Sequence, residues 1–334
     1  MTRCIVVEEA FAIPEIVDEW KRVLKSDQCE AGFRLMGRAM ITGSDALVGR
    51  LLDFGQGRID HMDRIGVDMQ VLSLAAPGVQ VFEAQLAAKL SRDANIALAA
   101  ALRRFPTRFG GLGAVAPHAP ASLANEVEHI RSLGLHGVIV NSHTFGEYLD
   151  LPKFEPLWEA LQASRLPLYL HPREPSPGMI APFLDYGLYF AGWGFAAETG
   201  LHSMRLIMSG LFERYPRLKI VIGHMGEAIP FWLQRIDNRY LLQVKTGAVK
   251  KLQRLPSEYF KDNFYITTSG VTSMPALRLA LDVLGAERVL FAADYPYEDD
   301  AEAKAFLDGA LLSDHERQLI SHRNAERVFG LPAG

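Results

Sequence analysis

Pro167-Leu168-Tyr169-Leu170-His171-Pro172 is a short apolar run that ends on a metal-seeking side chain and stops at a proline. Its length and its apolar and aromatic character read as a strand buried on both faces, as in a parallel sheet. The same construction recurs three times. Cys4-Ile5-Val6-Val7 leads to Glu8, Lys219-Ile220-Val221-Ile222-Gly223 to His224, and Arg288-Val289-Leu290-Phe291-Ala292-Ala293 to Asp294. Parallel barrels collect their chemistry at the carboxyl ends of strands, so four residues far apart in sequence are expected to share one cavity.

Working outward, eight strand candidates follow one another, around 5–8, 69–74, 109–115, 137–141, 167–171, 219–224, 264–268 and 289–294. Helical spacing fills the gaps. Leu123, Val127, Ile130 and Leu133 repeat between Ser122, a candidate cap, and Gly134, a candidate left-handed stop. Residues 84–105 are rich in Ala and Leu, and Phe154, Leu157 and Leu161 form a shorter series. This alternation predicts an α/β fold, a (β/α)8 TIM barrel, in a single domain over 1–334. A doubly wound open sheet is the runner-up, but no glycine-rich phosphate loop follows the first strand. Residues 12–68 and 172–218 are too long for plain crossovers and predict insertions after strands one and five that wall the catalytic face. The second carries Tyr186, Tyr189, Phe190, Trp193 and Phe195, suited either to an aromatic ligand or to a subunit interface.

The chain has 334 residues, 49% hydrophobic and 22% charged, with a net charge of -4, so no basic surface for nucleic acid or an anionic membrane is expected. No run approaches the roughly 20 apolar residues of a membrane span, and the amino terminus lacks the pattern of a secretory signal. The two cysteines, Cys4 and Cys29, have no metal-ligand spacing and fit reduced thiols in a cytoplasmic protein.

Glu8, His171 and Asp294 make a ligand set for one divalent metal. Individually, Glu8 could be a salt-bridged carboxylate at the barrel mouth and His171 a hydrogen-bonded core histidine. His224 is either a further ligand or an acid/base partner beside the metal. Glu227, three residues on, either orients His224 or caps a helix. His143, after the fourth strand, either lines the pocket or sits in a surface loop. No Ser-His-Asp or Cys-His nucleophile arrangement and no nucleophile elbow stands out.

On these residues the chain resembles the amidohydrolase superfamily, and within it the metal-dependent decarboxylases related to aminocarboxymuconate-semialdehyde decarboxylase. The matching pieces are Glu8-Glu9-Ala10-Phe11-Ala12, Tyr169-Leu170-His171-Pro172, Ile222-Gly223-His224-Met225-Gly226-Glu227, Thr268-Ser269-Gly270 and Ala293-Asp294-Tyr295-Pro296. The hydroxybenzoate decarboxylases, and among them the 5-carboxyvanillate enzymes, are most similar, with an alanine at the position of Ala10 and like text around Asn141-Ser142-His143-Thr144. Hydrolytic relatives usually carry His-x-His in the first strand, and many decarboxylases Glu-x-His.

The resemblance implies that Glu8, His171 and Asp294 hold the metal with His224 close by. It also implies that Arg235 and Tyr297 meet the substrate and that the protein is a homodimer or homotetramer. The alternative for Arg235 is an exposed helix arginine. Residues 26–45 are expected to add specificity, with Arg34 and Arg38 as available cations. Two carboxylates and one imidazole form a hard donor set, which favours Mn²⁺, or Mg²⁺, over Zn²⁺. No organic cofactor is expected. The implied reaction is non-oxidative decarboxylation of an ortho-oxygenated aromatic acid, with Asp294 as proton donor assisted by His224 and Glu227. The rivals are metal-dependent hydrolysis of a lactone or amide, and a non-catalytic binding barrel.

Overall fold

The computed structural model describes residues 2–333. Its strands are β1 (Ile5–Phe11), β2 (Met69–Leu74), β3 (Phe109–Ala114), β4 (Gly137–Asn141), β5 (Leu168–His171), β6 (Ile220–Ile222), β7 (Phe264–Thr267) and β8 (Val289–Leu290). They pair in sequence order, all in parallel. A parallel bridge between Val7 and Ala292, with the Val7 amide donating to the Phe291 carbonyl at 3.0 Å, returns β8 to β1. The result is the expected (β/α)8 barrel. Every strand residue is buried, which is why the sequence shows continuous apolar runs rather than alternation.

Crossover helices press close where strand side chains vanish. A Cβ on Gly111 would lie 2.8 Å from Leu98 Cδ2, and one on Gly113 2.5 Å from Ile130 Cγ1. The glycines of β3 therefore seat the helices Ala84–Arg104 and Leu123–Ser132. The first of these is capped by Glu83, whose Oε1 accepts from the Leu86 amide at 2.7 Å. Ser122 does not cap the second. Its hydroxyl turns back to the Ala119 carbonyl at 2.9 Å, because a 3₁₀ turn over Pro120–Ser122 precedes the helix. Gly134 is left-handed, with φ 76°, as the pattern predicted.

Between β1 and β2 lie the helices Pro14–Leu24, Ala31–Gly37, Asp45–Leu52 and Gln56–Ile65, and after β5 the helices Gly194–Met208 and Leu211–Arg214. Both stretches reach the carboxyl face, where Met36, Met40, Ile41 and Leu51 from the first meet Phe190 and Phe195 from the second. Buried ion pairs fasten them. Arg173, fully buried just beyond β5, pairs with Glu30 at 2.7 Å and Glu174 at 2.6 Å. Arg34 is spent within its own loop, donating to the Ser26 carbonyl at 2.7 Å, while Arg38 is exposed.

Candidate metal centre and its cavity

The strand ends place Glu8, His171 and Asp294 together. A ligand atom from each lies within 4.8 Å of the others. The first of them depends on a bulge. Val7 pairs with Val71 and Glu9 with Leu72, so Glu8 is an extra residue in β1, with φ 74°. A bulge re-aims side chains, and here it sends two adjacent carboxylates to different places. Glu8 turns towards the barrel axis, where its Oε2 accepts from the Tyr169 hydroxyl and from Thr267 Oγ1. Glu9 is held between strands, accepting from Gln70 Nε2 at 3.3 Å and the Ala293 amide at 3.2 Å.

This donor set suits a divalent cation. His171 Nδ1 lies 2.7 Å from the Pro172 carbonyl, so that nitrogen carries a proton and Nε2 is the ring nitrogen left to meet a metal. Glu8 Oε1 is buried without a hydrogen-bond partner and faces that Nε2 at 3.6 Å. A buried carboxylate oxygen without a partner, beside an imidazole nitrogen aimed at the same space, is what a divalent ion would satisfy. The set is oxygen-rich, as Mn²⁺ or Mg²⁺ prefers.

His224 stands beside this triad. Its Nδ1 lies 2.9 Å from Glu227 Oε1 and its Nε2 3.8 Å from Asp294 Oδ2, too long for a hydrogen bond. Burial opposes a charge on His224, but Glu227, Glu8 and Asp294 outweigh it and hold the imidazole well above its ordinary pKa. Burial raises the Asp294 carboxyl, against the pull of His224 and with the help of Glu8. A bound cation would offset the parts due to Glu8 and Asp294. Tyr297 lines the same cavity, and burial, followed by Asp294, keeps its phenol protonated. Glu8, His224, Glu227 and Asp294 have φ of 74°, 51°, 52° and 67°. Such backbone costs about 1–3 kcal/mol per residue and concentrates where function demands a geometry.

Two residues singled out in the sequence lie elsewhere. His143 is fully buried, but Nε2 is 3.1 Å from the Glu174 carbonyl and Nδ1 accepts the Gly146 amide at 3.2 Å, so neither nitrogen is free for a ligand. Arg235 lines a separate apolar groove with Trp193, Leu201 and Trp232. Within one chain it does not enter the cavity of His171 and Asp294.

The sequence reading missed Tyr169 and Thr267, which orient Glu8. Tyr169 was within reach, since it precedes His171 by two along β5 and so shares its face. A Ser142–His202–Glu198 cluster also went unnoticed. His202 Nε2 accepts the Leu149 amide at 3.0 Å, so its Nδ1 carries the proton and donates to Ser142 Oγ at 3.2 Å. Ser142 in turn donates to Glu198 at 3.1 Å. All three side chains are buried, so this serine ties the end of β4 to the helix Gly194–Met208 as a structural tether.

The amidohydrolase family model matches residues 45–331. Gamma-resorcylate decarboxylase of Polaromonas sp. strain JS666 is 38% identical over 295 residues, covering 85% of this chain and 90% of that protein. The crystal structure of 5-carboxyvanillate decarboxylase LigW from Sphingomonas paucimobilis superposes with a TM-score of 0.96 at 44% identity, covering 99% of this chain and 100% of that one. A 5-carboxyvanillate decarboxylase from Novosphingobium aromaticivorans, solved with manganese and 4-hydroxy-3-methoxy-5-nitrobenzoic acid, gives 0.95 at 39% identity, covering 99% and 96%.

Proposed function

The chain belongs to the amidohydrolase family, and from that premise we propose that it is a divalent-metal-dependent, non-oxidative decarboxylase of an ortho-oxygenated aromatic acid. The observation that carries this reading is the orphaned Glu8 Oε1 facing His171 Nε2, with Asp294 in reach, under an apolar roof. Relatives of this sequence and shape are named as decarboxylases of aromatic acids, and one holds manganese with a hydroxybenzoate analogue, which favours a carboxy-lyase over a hydrolase.

Glu8, His171 and Asp294 would hold the ion, with Mn²⁺ the first choice. Bound there, it supplies Lewis-acid polarisation of the substrate's phenolic and carboxylate oxygens and fixes the ring. The chain's part is to place a proton. Direct loss of carbon dioxide from a benzoate leaves an aryl anion in the ring plane, which the ring cannot delocalise. Asp294 therefore delivers a proton to the ring carbon that bears the carboxylate. His224, whose Nε2 stands 3.8 Å from Asp294 Oδ2, replenishes it once substrate binding shortens that gap to a hydrogen bond, and Glu227 holds the imidazole through Nδ1. The carbon–carbon bond then breaks, carbon dioxide leaves, and its electron pair restores the aromatic ring without any external oxidant. Tyr297 offers a hydroxyl to the substrate. Met36, Met40, Ile41, Leu51, Phe190 and Phe195 pack the ring and exclude water.

The protein would work as a homodimer or homotetramer. Trp193, 61% exposed, and Trp232, 48% exposed, line the groove that holds Arg235, and burying them between copies is favourable. No helix among the described residues is long and apolar enough to cross a membrane. Two free, buried cysteines support a cytoplasmic setting.

The test is a panel of 5-carboxyvanillate, 2,3- and 2,6-dihydroxybenzoate and salicylate against Mn²⁺-loaded protein, with lactones and amides beside them. Carbon dioxide and the decarboxylated phenol from at least one acid are expected. Hydrolysis of a lactone or amide, with no carbon dioxide from any acid, overturns the reading.

A further inference from the structure

A second buried polar group sits behind the triad, between β1, β2 and the helix Gln56–Ile65, and the reaction above makes no use of it. At its centre is Arg58, 1% exposed. Its Nε donates to the Asp53 carbonyl at 3.0 Å and Nη1 to Gln70 Oε1 at 3.1 Å. Its Nη2 donates to the Ala10 carbonyl at 2.7 Å and the Arg50 carbonyl at 3.1 Å. The guanidinium carbon lies 4.5 Å from the centre of the Tyr295 ring. Through Gln70, whose Nε2 reaches Glu9 Oε2 at 3.3 Å, the group extends to Glu9, and from Glu9 Oε1 to the Ala293 amide at 3.2 Å.

Four of the residues contacted, Ala10, Arg50, Ala293 and Tyr295, lie within two positions of a proposed metal ligand or beside a wall of its cavity. Ala10 follows Glu8 by two residues, and Ala293 and Tyr295 flank Asp294. The Arg50 carbonyl precedes Leu51, whose own carbonyl accepts the Ala12 amide at 2.9 Å. The Ala10 amide donates to the Tyr295 carbonyl at 2.8 Å, tying the two ligand segments directly. Both ligands sit on left-handed backbone, which persists only where surrounding contacts over-determine it. Stability alone does not call for a buried guanidinium, because well-packed apolar replacements of buried ions are often neutral or stabilising. A planar fork with several donors does suit fixing several carbonyls at set distances.

We propose that Arg58, Gln70 and Glu9 form a positioning unit that sets the spacing of Glu8 and Asp294, and thereby the affinity and coordination geometry of the metal. None of the three touches substrate. The inference rests on the metal reading of Glu8, His171 and Asp294.

The test measures Mn²⁺ binding by isothermal titration and the electron paramagnetic resonance spectrum of bound Mn²⁺, on the whole protein, for Arg58→Met, Arg58→Lys and Gln70→Leu. Circular dichroism confirms the fold of each. Mn²⁺ affinity is expected to fall about 10- to 100-fold per folded molecule, with a broadened spectrum, as for other groups that orient metal ligands. Arg58→Lys should not rescue, since an ammonium lacks the fork. If the Arg58 variants do not fold, Gln70→Leu cuts the link to Glu9 while leaving the Arg58 contacts to backbone, and it carries the same expectation. Folded variants with unchanged Mn²⁺ affinity and spectrum, whatever their melting temperature, overturn the positioning role. A wild-type protein that binds no Mn²⁺ fails at the earlier step, and the metal reading falls with it.

Discussion

His224 lies within 4 Å of Asp294 yet contributes no atom to the Glu8–His171–Asp294 cluster, because its Nδ1 is turned to Glu227 and its Nε2 faces a carboxylate. In the proposed mechanism His224 handles a proton without holding the metal, and those two roles respond differently to substitution. His224→Ala is expected to leave metal content near one ion per chain while turnover drops by about 10²–10⁴, the usual worth of a positioned acid or base. Asp294→Asn with metal restored should lose turnover on the same scale, since an amide cannot deliver the proton. Metal analysis and carbon dioxide release on one preparation decide both. Loss of metal in step with activity for His224→Ala makes it a ligand instead. At this scale the sequence was legible wherever chemistry sits at the end of an apolar run, as for His171. It was silent on Glu9 and Arg58, since a buried Arg in a polar stretch such as Gln56-Gly57-Arg58-Ile59-Asp60 looks like a solvated helix face.

Among elements, β1 shows why boundaries were harder to read than strand existence. The apolar run stops at Glu8, but the strand continues to Phe11 because Ala10 and Phe11 regain pairing with Ser73 and Leu74 after the bulge. A bulge leaves no compositional trace. Strand β8 errs the other way. The run promises a strand to Asp294, yet regular pairing stops at Leu290. Beyond it the Ala292 amide goes to the Thr268 hydroxyl at 3.0 Å, and the Phe291 amide to the Ile320 carbonyl at 3.0 Å. After β6, Gly223 answers to the site itself. A Cβ there would stand 2.8 Å from Glu8 Oε1, the oxygen left without a hydrogen-bond partner, and Tyr169 and Thr267 pin the other oxygen of that carboxylate. Gly223→Ala is therefore expected to weaken Mn²⁺ binding about 10-fold or more, the scale seen when a ligand's surroundings are disturbed. The fold should persist, because φ at Gly223 is -77° and suits any residue. Titration calorimetry beside a thermal melt reads both. Unchanged affinity would show that Glu8 retains room to move.

For the molecule as a whole, the barrel was legible because eight buried parallel strands write themselves as apolar runs, whereas the polar tethers that hold the long excursions did not. The tether after β5 gives the fold a pH dependence whose sign follows from burial. His202 is fully buried, and desolvation, with Arg205 adding to it, lowers its pKa to about 3. An unfolded histidine titrates near 6.5. Above that value both states are neutral and the tether contributes its full stability. Between about 6.5 and 3 the unfolded chain binds a proton that the folded chain refuses, so stability falls by about 1.4 kcal/mol per pH unit for this one group. Glu198 works in the opposite sense, because burial raises its carboxyl and the folded state then gains a proton first as the pH drops towards the ordinary carboxylate range. Tyr148 and Arg205, which also face His202, keep their charge states across this window. The contribution of His202 is thus isolated by difference. Urea denaturation at pH 7 and pH 5 should show wild type losing about 2 kcal/mol more than His202→Gln, which offers an acceptor for the Leu149 amide but does not titrate. Equal losses in the two proteins would mean that the imidazole accepts a proton in place, and that the network around Ser142 rearranges to take it.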